Sequence, residues 1–156
     1  MGPESKVEVD VDGKKVTVVV GEIVREEEDN PVHTLFIRKA DGLMVVYSVS
    51  SREQFNEITE WRDKILTAKG GDEVPIAIVG THRDQDKDAR VVTVEEGRTM
   101  ADGLKCPFFD VDAACFEQVN TAFLALVRMV ICKRSERNKT DKKKGKGPKE
   151  RDCVLM

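Results

Sequence analysis

Apolar and polar positions alternate along the first stretch of the chain. Val7, Val9 and Val11 share one face of an extended segment from Lys6 to Asp12, with Glu8 and Asp10 on the other. That period of two marks a half-exposed strand. Asp12-Gly13 is a tight-turn pair and Val16 to Val20 is nearly all β-branched, so the pattern predicts a hairpin whose second strand is the more buried. Gly21 to Asp29 is acidic and loop-like. Asn30-Pro31 then reads as a helix start, with Asn as cap and Pro in the first helical position, and Leu35 and Phe36 open the apolar face.

From Leu43 onward strand and helix patterns take turns. Leu43 to Val49 is an apolar strand, and Ser51 with Gln54 has the spacing of a capping box. Phe55, Ile58, Trp61, Ile65 and Leu66 keep helical spacing, with Arg62 the polar member of the stripe, until Gly70-Gly71 stops it. The stretch 75–79 is apolar throughout and bounded by Gly80, as in a strand buried on both faces of a parallel sheet. Thr81-His82-Arg83-Asp84 follows at its carboxyl end, where open α/β sheets place their ligands. Taken alone, such a loop is more often a plain solvated connection. Thr93 and Glu96 form another capping box ahead of Gly97, Met100, Ala101 and Leu104, and Pro107-Phe108-Phe109 opens a last short strand. Phe116, Val119, Ala122, Phe123, Leu126, Val127 and Val130 mark the final helix. The expectation is one α/β domain over 1–132, with a mainly parallel sheet and the antiparallel hairpin at its edge, then a disordered basic tail over 133–156.

Composition adds a charge asymmetry. The chain has 156 residues, 40% hydrophobic and 35% charged, with a net charge of −3. Residues 133–156 hold 10 Lys/Arg against 4 Asp/Glu, so a basic arm follows an acidic body. Such an arm suits an anionic partner, a membrane surface or nucleic acid. Cys106, Cys115, Cys132 and Cys153 lack metal-ligand spacing, which leaves reduced thiols as the default. Met1-Gly2 fails as a myristoylation signal, since Lys6 stands where Ser or Thr is required.

The run Asp41-Gly42-Leu43-Met44-Val45-Val46-Tyr47-Ser48-Val49, with Arg52-Glu53-Gln54-Phe55 and Asp72-Glu73-Val74-Pro75, resembles the Ras branch of the small GTPases, near Ras, R-Ras and Rap. The likeness continues through Arg90-Val91-Val92, Glu95-Glu96-Gly97, Cys106-Pro107-Phe108 and Ala122-Phe123 to a terminal CaaX box, Cys153-Val154-Leu155-Met156. It implies a Ras-like P-loop GTPase fold lacking the first strand, the phosphate loop and the first helix, either because the sequence is a shortened version of a longer protein or because β-strands flanking the gap close on each other. It also implies GTP/GDP and Mg2+ as the family's ligands.

The functional motifs depart from the family's pattern. Thr81-His82-Arg83-Asp84 stands at the family's Asn-Lys-x-Asp. Asp84 keeps the carboxylate that would accept from guanine N1–H and the 2-amino group, but Thr81 is too short to replace the Asn amide and His82 cannot lay a Lys stem over the base. Asp112-Ala113-Ala114 stands at Ser-Ala-Lys, leaving the Ala113 N–H for guanine O6. No Gly-x4-Gly-Lys-Ser/Thr loop is present to cradle phosphates. Glu22-Ile23-Val24-Arg25 falls on Asp-x-x-Gly, with Glu26 where the water-orienting Gln belongs. These changes count against GTP/GDP and Mg2+ and leave no catalytic residue to name. Lys142, Lys143, Lys144, Lys146 and Lys149 directly precede the CaaX Cys153. That order favours prenylation by a prenyltransferase and an anionic membrane surface over nucleic acid, with Met156 favouring farnesyl. The expectation is a membrane-held, pseudoGTPase-like signalling protein on the cytoplasmic face of the plasma membrane, with other signalling proteins as partners. The rivals are a conventional GTP-hydrolysing switch whose N-terminal segment lies outside the sequence, and an incomplete product with no folded function.

Overall fold

The computed structural model describes residues 5–21, 31–71, 73–82 and 89–140. In chain order the elements are β1 (Ser5–Val11), β2 (Lys14–Val20), α1 (Pro31–Lys39), β3 (Leu43–Ser48), α2 (Arg52–Ala68), β4 (Ile76–His82), α3 (Val94–Leu104), β5 (Phe108–Asp112) and α4 (Phe116–Thr140). β3, β4 and β5 form a three-stranded parallel sheet in that order, and β1 and β2 pair antiparallel. The hairpin turn holds Asp12 at φ 53° and Gly13 at φ 83°. Two consecutive left-handed residues give the turn whose twist matches paired strands, and Asp and Gly tolerate that conformation best.

Alternation along β3 and β4 sorts side chains onto two cores. Leu43, Val45, Tyr47, Ile76 and Ile78 meet Ile58 and Ile65 of α2, Ala101 of α3, and Phe36 and Ile37 of α1. On the opposite face Ala77 meets Leu126, Val127 and Val130 of α4, while Val79 and Val111 meet Ala122. β4 is therefore covered on both sides, as its unbroken apolar run requires. α3 opens with a complete capping box: the Thr93 hydroxyl accepts from Glu96 N–H at 3.1 Å and the Glu96 carboxylate accepts from Thr93 N–H at 3.0 Å.

Three expectations are modified. The hairpin does not extend the parallel sheet; it is a separate two-stranded sheet, and β2 and β3 do not pair. Apolar packing holds it instead, with Val11 and Val18 set against Leu126, Val127 and Val130. The box at α2 is half made. Ser51 Oγ accepts from Gln54 N–H at 3.2 Å, but Gln54 Oε1 accepts from Ser48 N–H at 2.8 Å rather than from its own cap residue. Finally, α4 runs on to Thr140, beyond the point where apolar periodicity ends. Arg134 explains part of this, since its guanidinium reaches Asp41 at 2.7 Å and Lys133 Nζ donates to the Glu73 carbonyl. The Arg, Lys and Glu of this stretch are also good helix formers.

Gly97 of α3 lies over β3 and β5 so closely that a Cβ there would sit 2.4 Å from Tyr47 Oη and 2.5 Å from Phe108 Cζ. Both rings belong to packed groups with little room to retreat. Gly97→Ala is therefore expected to destabilise the fold by about 1–3 kcal/mol. Urea unfolding checks this as a lower midpoint at unchanged slope.

Candidate functional site at the carboxyl end of the parallel sheet

The strand ends that the sequence singles out converge where β3, β4 and β5 finish. β4 extends through Thr81 and His82, so these are strand residues rather than loop residues, in register with Ser48 of β3 and with Val111 and Asp112 of β5. Strand alternation sends their side chains to opposite faces. Thr81 Oγ1 donates to the Tyr47 carbonyl at 3.3 Å. His82 follows Gly80 and Ile78 onto the α2/α3 face, where its Nε2 lies 2.9 Å from Asp110 Oδ1.

Asp110 is the hub. Besides His82, it receives Arg90 Nη2 at 2.8 and 2.7 Å on its two oxygens. Arg90 is fixed further by Nη1 donating to the Val92 carbonyl at 3.1 Å. A carboxylate with charge-assisted donors on both oxygens is held in one orientation, and it draws two other side chains with it. Arg90 and His82 lie on either side of the segment carrying Asp84, so β5 grips the chain at both flanks of that segment.

The turn after β5 is built from its own polar groups. Asp112, only 8% exposed, accepts from Ala114 N–H with Oδ1 at 2.9 Å, and its N–H donates to Gln118 Oε1 at 2.7 Å. Ala113 N–H donates to the His82 carbonyl at 2.8 Å. A guanine O6 arriving here would have to displace or share that bond.

Of the four residues expected at the base site, Thr81, His82 and Ala113 do come together, each with its polar group on a partner within the chain. Asp84 lies outside the described residues, as do Glu22 to Glu26, Cys153 and Lys142, Lys143, Lys144, Lys146 and Lys149. Among the described residues no group of three or more His, Cys, Asp or Glu could hold a metal ion, and no helix is long and apolar enough to cross a membrane.

Sequence reasoning missed the hub and its floor. Tyr47, 1% exposed, runs beneath β4 toward the same end, and Gly80 leaves room for it: a Cβ at that position would lie 2.8 Å from the phenol oxygen. Among the described residues the hydroxyl has no hydrogen-bond partner. Burial first, and the negative charge of Asp110 next, push its pKa up to about 12. Farther out, Arg52 bridges α2 to α3 through the Val91 carbonyl at 2.6 Å and Glu96 at 3.1 Å. The Thr93 N–H and the Arg52 guanidinium hold the Glu96 carboxyl below its usual range.

With the geometry in place, comparison with known proteins is decisive. A Ras family model matches residues 3–132. The chain belongs to the Ras family. It is 33% identical over 120 residues to a Ras-like protein of Laccaria bicolor, covering 77% of this chain and 57% of that protein. It is 28% identical over 131 residues to the GTP-binding protein Rit1 of Mus musculus, covering 84% and 59%. Against the Ras-like protein rasC of Dictyostelium discoideum it is 31% identical over 150 residues, covering 96% and 77%. The chain thus spans less than two thirds of the length of the first two relatives. The Ras-like α/β fold is accordingly as expected, with a three-stranded parallel sheet and an antiparallel hairpin.

Two outcomes follow for this Ras-family domain. Tyr47 is the sole tyrosine, so phenolate absorbance reports it alone, and its titration should centre near pH 12 instead of the ordinary 10.0. Because the folded pKa is the higher one, the associated stability is complete below pH 10 and is lost as pH rises toward 12. Tyr47→Phe should remove that share of the alkaline loss, measured by chemical unfolding at a series of pH values. Asp110→Ala leaves Arg90 and His82 without their acceptor and should cost about 1–3 kcal/mol in the same unfolding measurement.

Proposed function

We propose that this Ras-family protein acts in membrane-associated signalling as a pseudoGTPase-like module, with weak or no GTP binding and hydrolysis. One observation carries the reading. The Thr81 hydroxyl, the His82 imidazole and the Ala113 N–H each serve a partner within the chain, where a guanine site needs them turned to the base. Each polar contact withheld is worth about 0.5–1.5 kcal/mol, and together they amount to orders of magnitude in affinity. The residues present at the base site therefore do not fit a tightly held guanine nucleotide, and no hydrolytic step is assigned to them.

A second reading has its own support. The relatives are longer, this chain covering 57–77% of them, and a conventional GTP-hydrolysing switch with its phosphate loop on a segment outside this sequence would account for that. Fluorescent guanine nucleotide titrated into the purified chain, with Asp84→Ala as control, separates the two. The pseudoGTPase-like reading expects no micromolar binding in either protein. Micromolar or tighter binding that Asp84→Ala abolishes would establish a working base site.

Membrane attachment belongs to the same proposal. Cys153 is the prenyl acceptor, which places the protein on the cytoplasmic face of the plasma membrane with a prenyltransferase as an obligatory earlier partner. A single chain gains about 0.8 kcal/mol per buried CH2 and anchors only marginally. Lys142, Lys143, Lys144, Lys146 and Lys149 supply the second attraction, about 1 kcal/mol each beside anionic lipid. Cys153→Ser is expected to move the protein from the membrane fraction to the cytosol on cell fractionation; continued membrane residence would refute the anchor.

A further inference from the structure

Helices that cross between parallel strands run back against them, so their last turns gather where the strands begin. α1, α2 and α3 end at Lys39, Ala68 and Leu104, each just ahead of the next strand. Contacts between these ends show the convergence. Lys69 Nζ donates to the Arg38 and Ala40 carbonyls, and Arg38 Nε donates to the Ala68 carbonyl at 3.2 Å. Arg134 of α4 reaches Asp41, in the turn leading into β3, at 2.7 Å. Val130 closes over Gly42 in that turn, and Val11 beside the hairpin turn shares its core cluster.

Charge is divided along the strand direction. The amino end of the sheet carries Lys14, Lys15, Lys39 and Lys105, all exposed. Arg38, Lys69 and Lys133 add charge that their carbonyl partners do not cancel. Asp12 and Asp41 are paired there with Arg128 and Arg134, and Asp10, Glu73 and Asp102 are the other described acids near it. The carboxyl end is the reverse: Glu53, Glu95, Glu96, Asp110, Asp112 and Glu117 outnumber Arg52 and Arg90. Helix dipoles favour cations at carboxyl termini, which explains why lysines suit these positions. Their exposure makes them available to a partner as well. α4 continues to Thr140, so the basic run that opens at Lys142 starts from this same end.

We infer that the amino end of the parallel sheet docks against anionic phospholipid headgroups, with the carboxyl end facing away from the bilayer. The inference rests on the membrane attachment proposed above and gives it an orientation. Distance decides why an acidic body tolerates such a surface. The six residues of β3 span about 20 Å, whereas charges are screened within about 8 Å at physiological salt. Acids at the carboxyl end are therefore beyond the reach of the headgroups, and the lysines of the amino end are within it. Turned over, the same body would set its acids against the lipid. Lysine point charges spread over several elements suit a flat field of negative charge. No exposed aromatic residue stands among them to stack on a nucleic-acid base.

Nuclear magnetic resonance tests the orientation on the full, unprenylated chain with lipid nanodiscs of phosphatidylserine and phosphatidylcholine carrying a gadolinium-chelating headgroup. Amides of Lys14, Lys15, Lys39 and Lys105 should broaden along with those of the tail, while Thr81, Glu95, Ala113 and Glu117 stay sharp. Discs of phosphatidylcholine alone should broaden none of them. Lys39→Glu with Lys105→Glu, or Lys14→Glu with Lys15→Glu, should lower disc affinity about tenfold or more with unchanged circular dichroism. Each pair should also restore the sharp signals of the other. Broadening confined to the tail overturns the inference and leaves the anchor standing. Broadening centred on the carboxyl end overturns it too, as does a pattern that both charge reversals leave unchanged. No broadening anywhere would remove the electrostatic part of the anchor together with the orientation, and the Cys153→Ser fractionation reads the prenyl part separately.

Discussion

The Asp110 carboxylate organises the functional end of this molecule. It sits on β5, but its partners flank the segment between β4 and α3: His82 on one side and Arg90 on the other. A partly buried carboxylate cannot be left without donors, and once it has gathered these two it fixes where each can point. His82 is thereby turned toward the α2/α3 face. Thr81 beside it donates to the Tyr47 carbonyl, so both residues at the end of β4 have partners within the chain.

The same economy runs through the turn that follows β5. Asp112 spends its carboxylate on Ala114 N–H, while Ala113 N–H goes to the carbonyl of His82. The strand end is thus stitched to the turn by bonds internal to the protein. Beneath it, Tyr47 fills the space that Gly80 and Gly97 leave open, with a hydroxyl that reaches no acceptor among the described residues. A phenol kept in so dry a place opposes ionisation, which is why its titration is displaced. Stability of the sheet and polar isolation of its carboxyl end have the same structural source.

Much of the fold was legible because periodicity is a direct record of burial. The β-branched hairpin, the helix beginning at Pro31, the Thr93–Glu96 box and the apolar strand before Gly80 all lie where their patterns place them. The sheet's division was not legible, since hydrogen-bonded pairing between distant strands leaves no mark on either sequence; β2 reads the same whether it borders β3 or packs on α4. Gln54 shows a similar limit, its spacing suiting a capping box while the nearer strand end at Ser48 captured it. At the site, Thr81, His82 and Ala113 were found by motif position, which reports what a residue type can contact. What each contacts depended on Arg90, Asp110 and Tyr47, separated in sequence and joined only by the topology. Helix α4 outran its apolar stripe because ion pairing and helix propensity continue where hydrophobic periodicity stops.

The central claim is that the polar groups at the end of β4 and β5 are committed within the chain. Nuclear magnetic resonance reads it most directly, following the Ala113 amide proton and the His82 ring while GDP is added. The account predicts that Ala113 keeps its bond to the His82 carbonyl and His82 its bond to Asp110, with neither signal moving. Saturable displacement of both signals by GDP would contradict it.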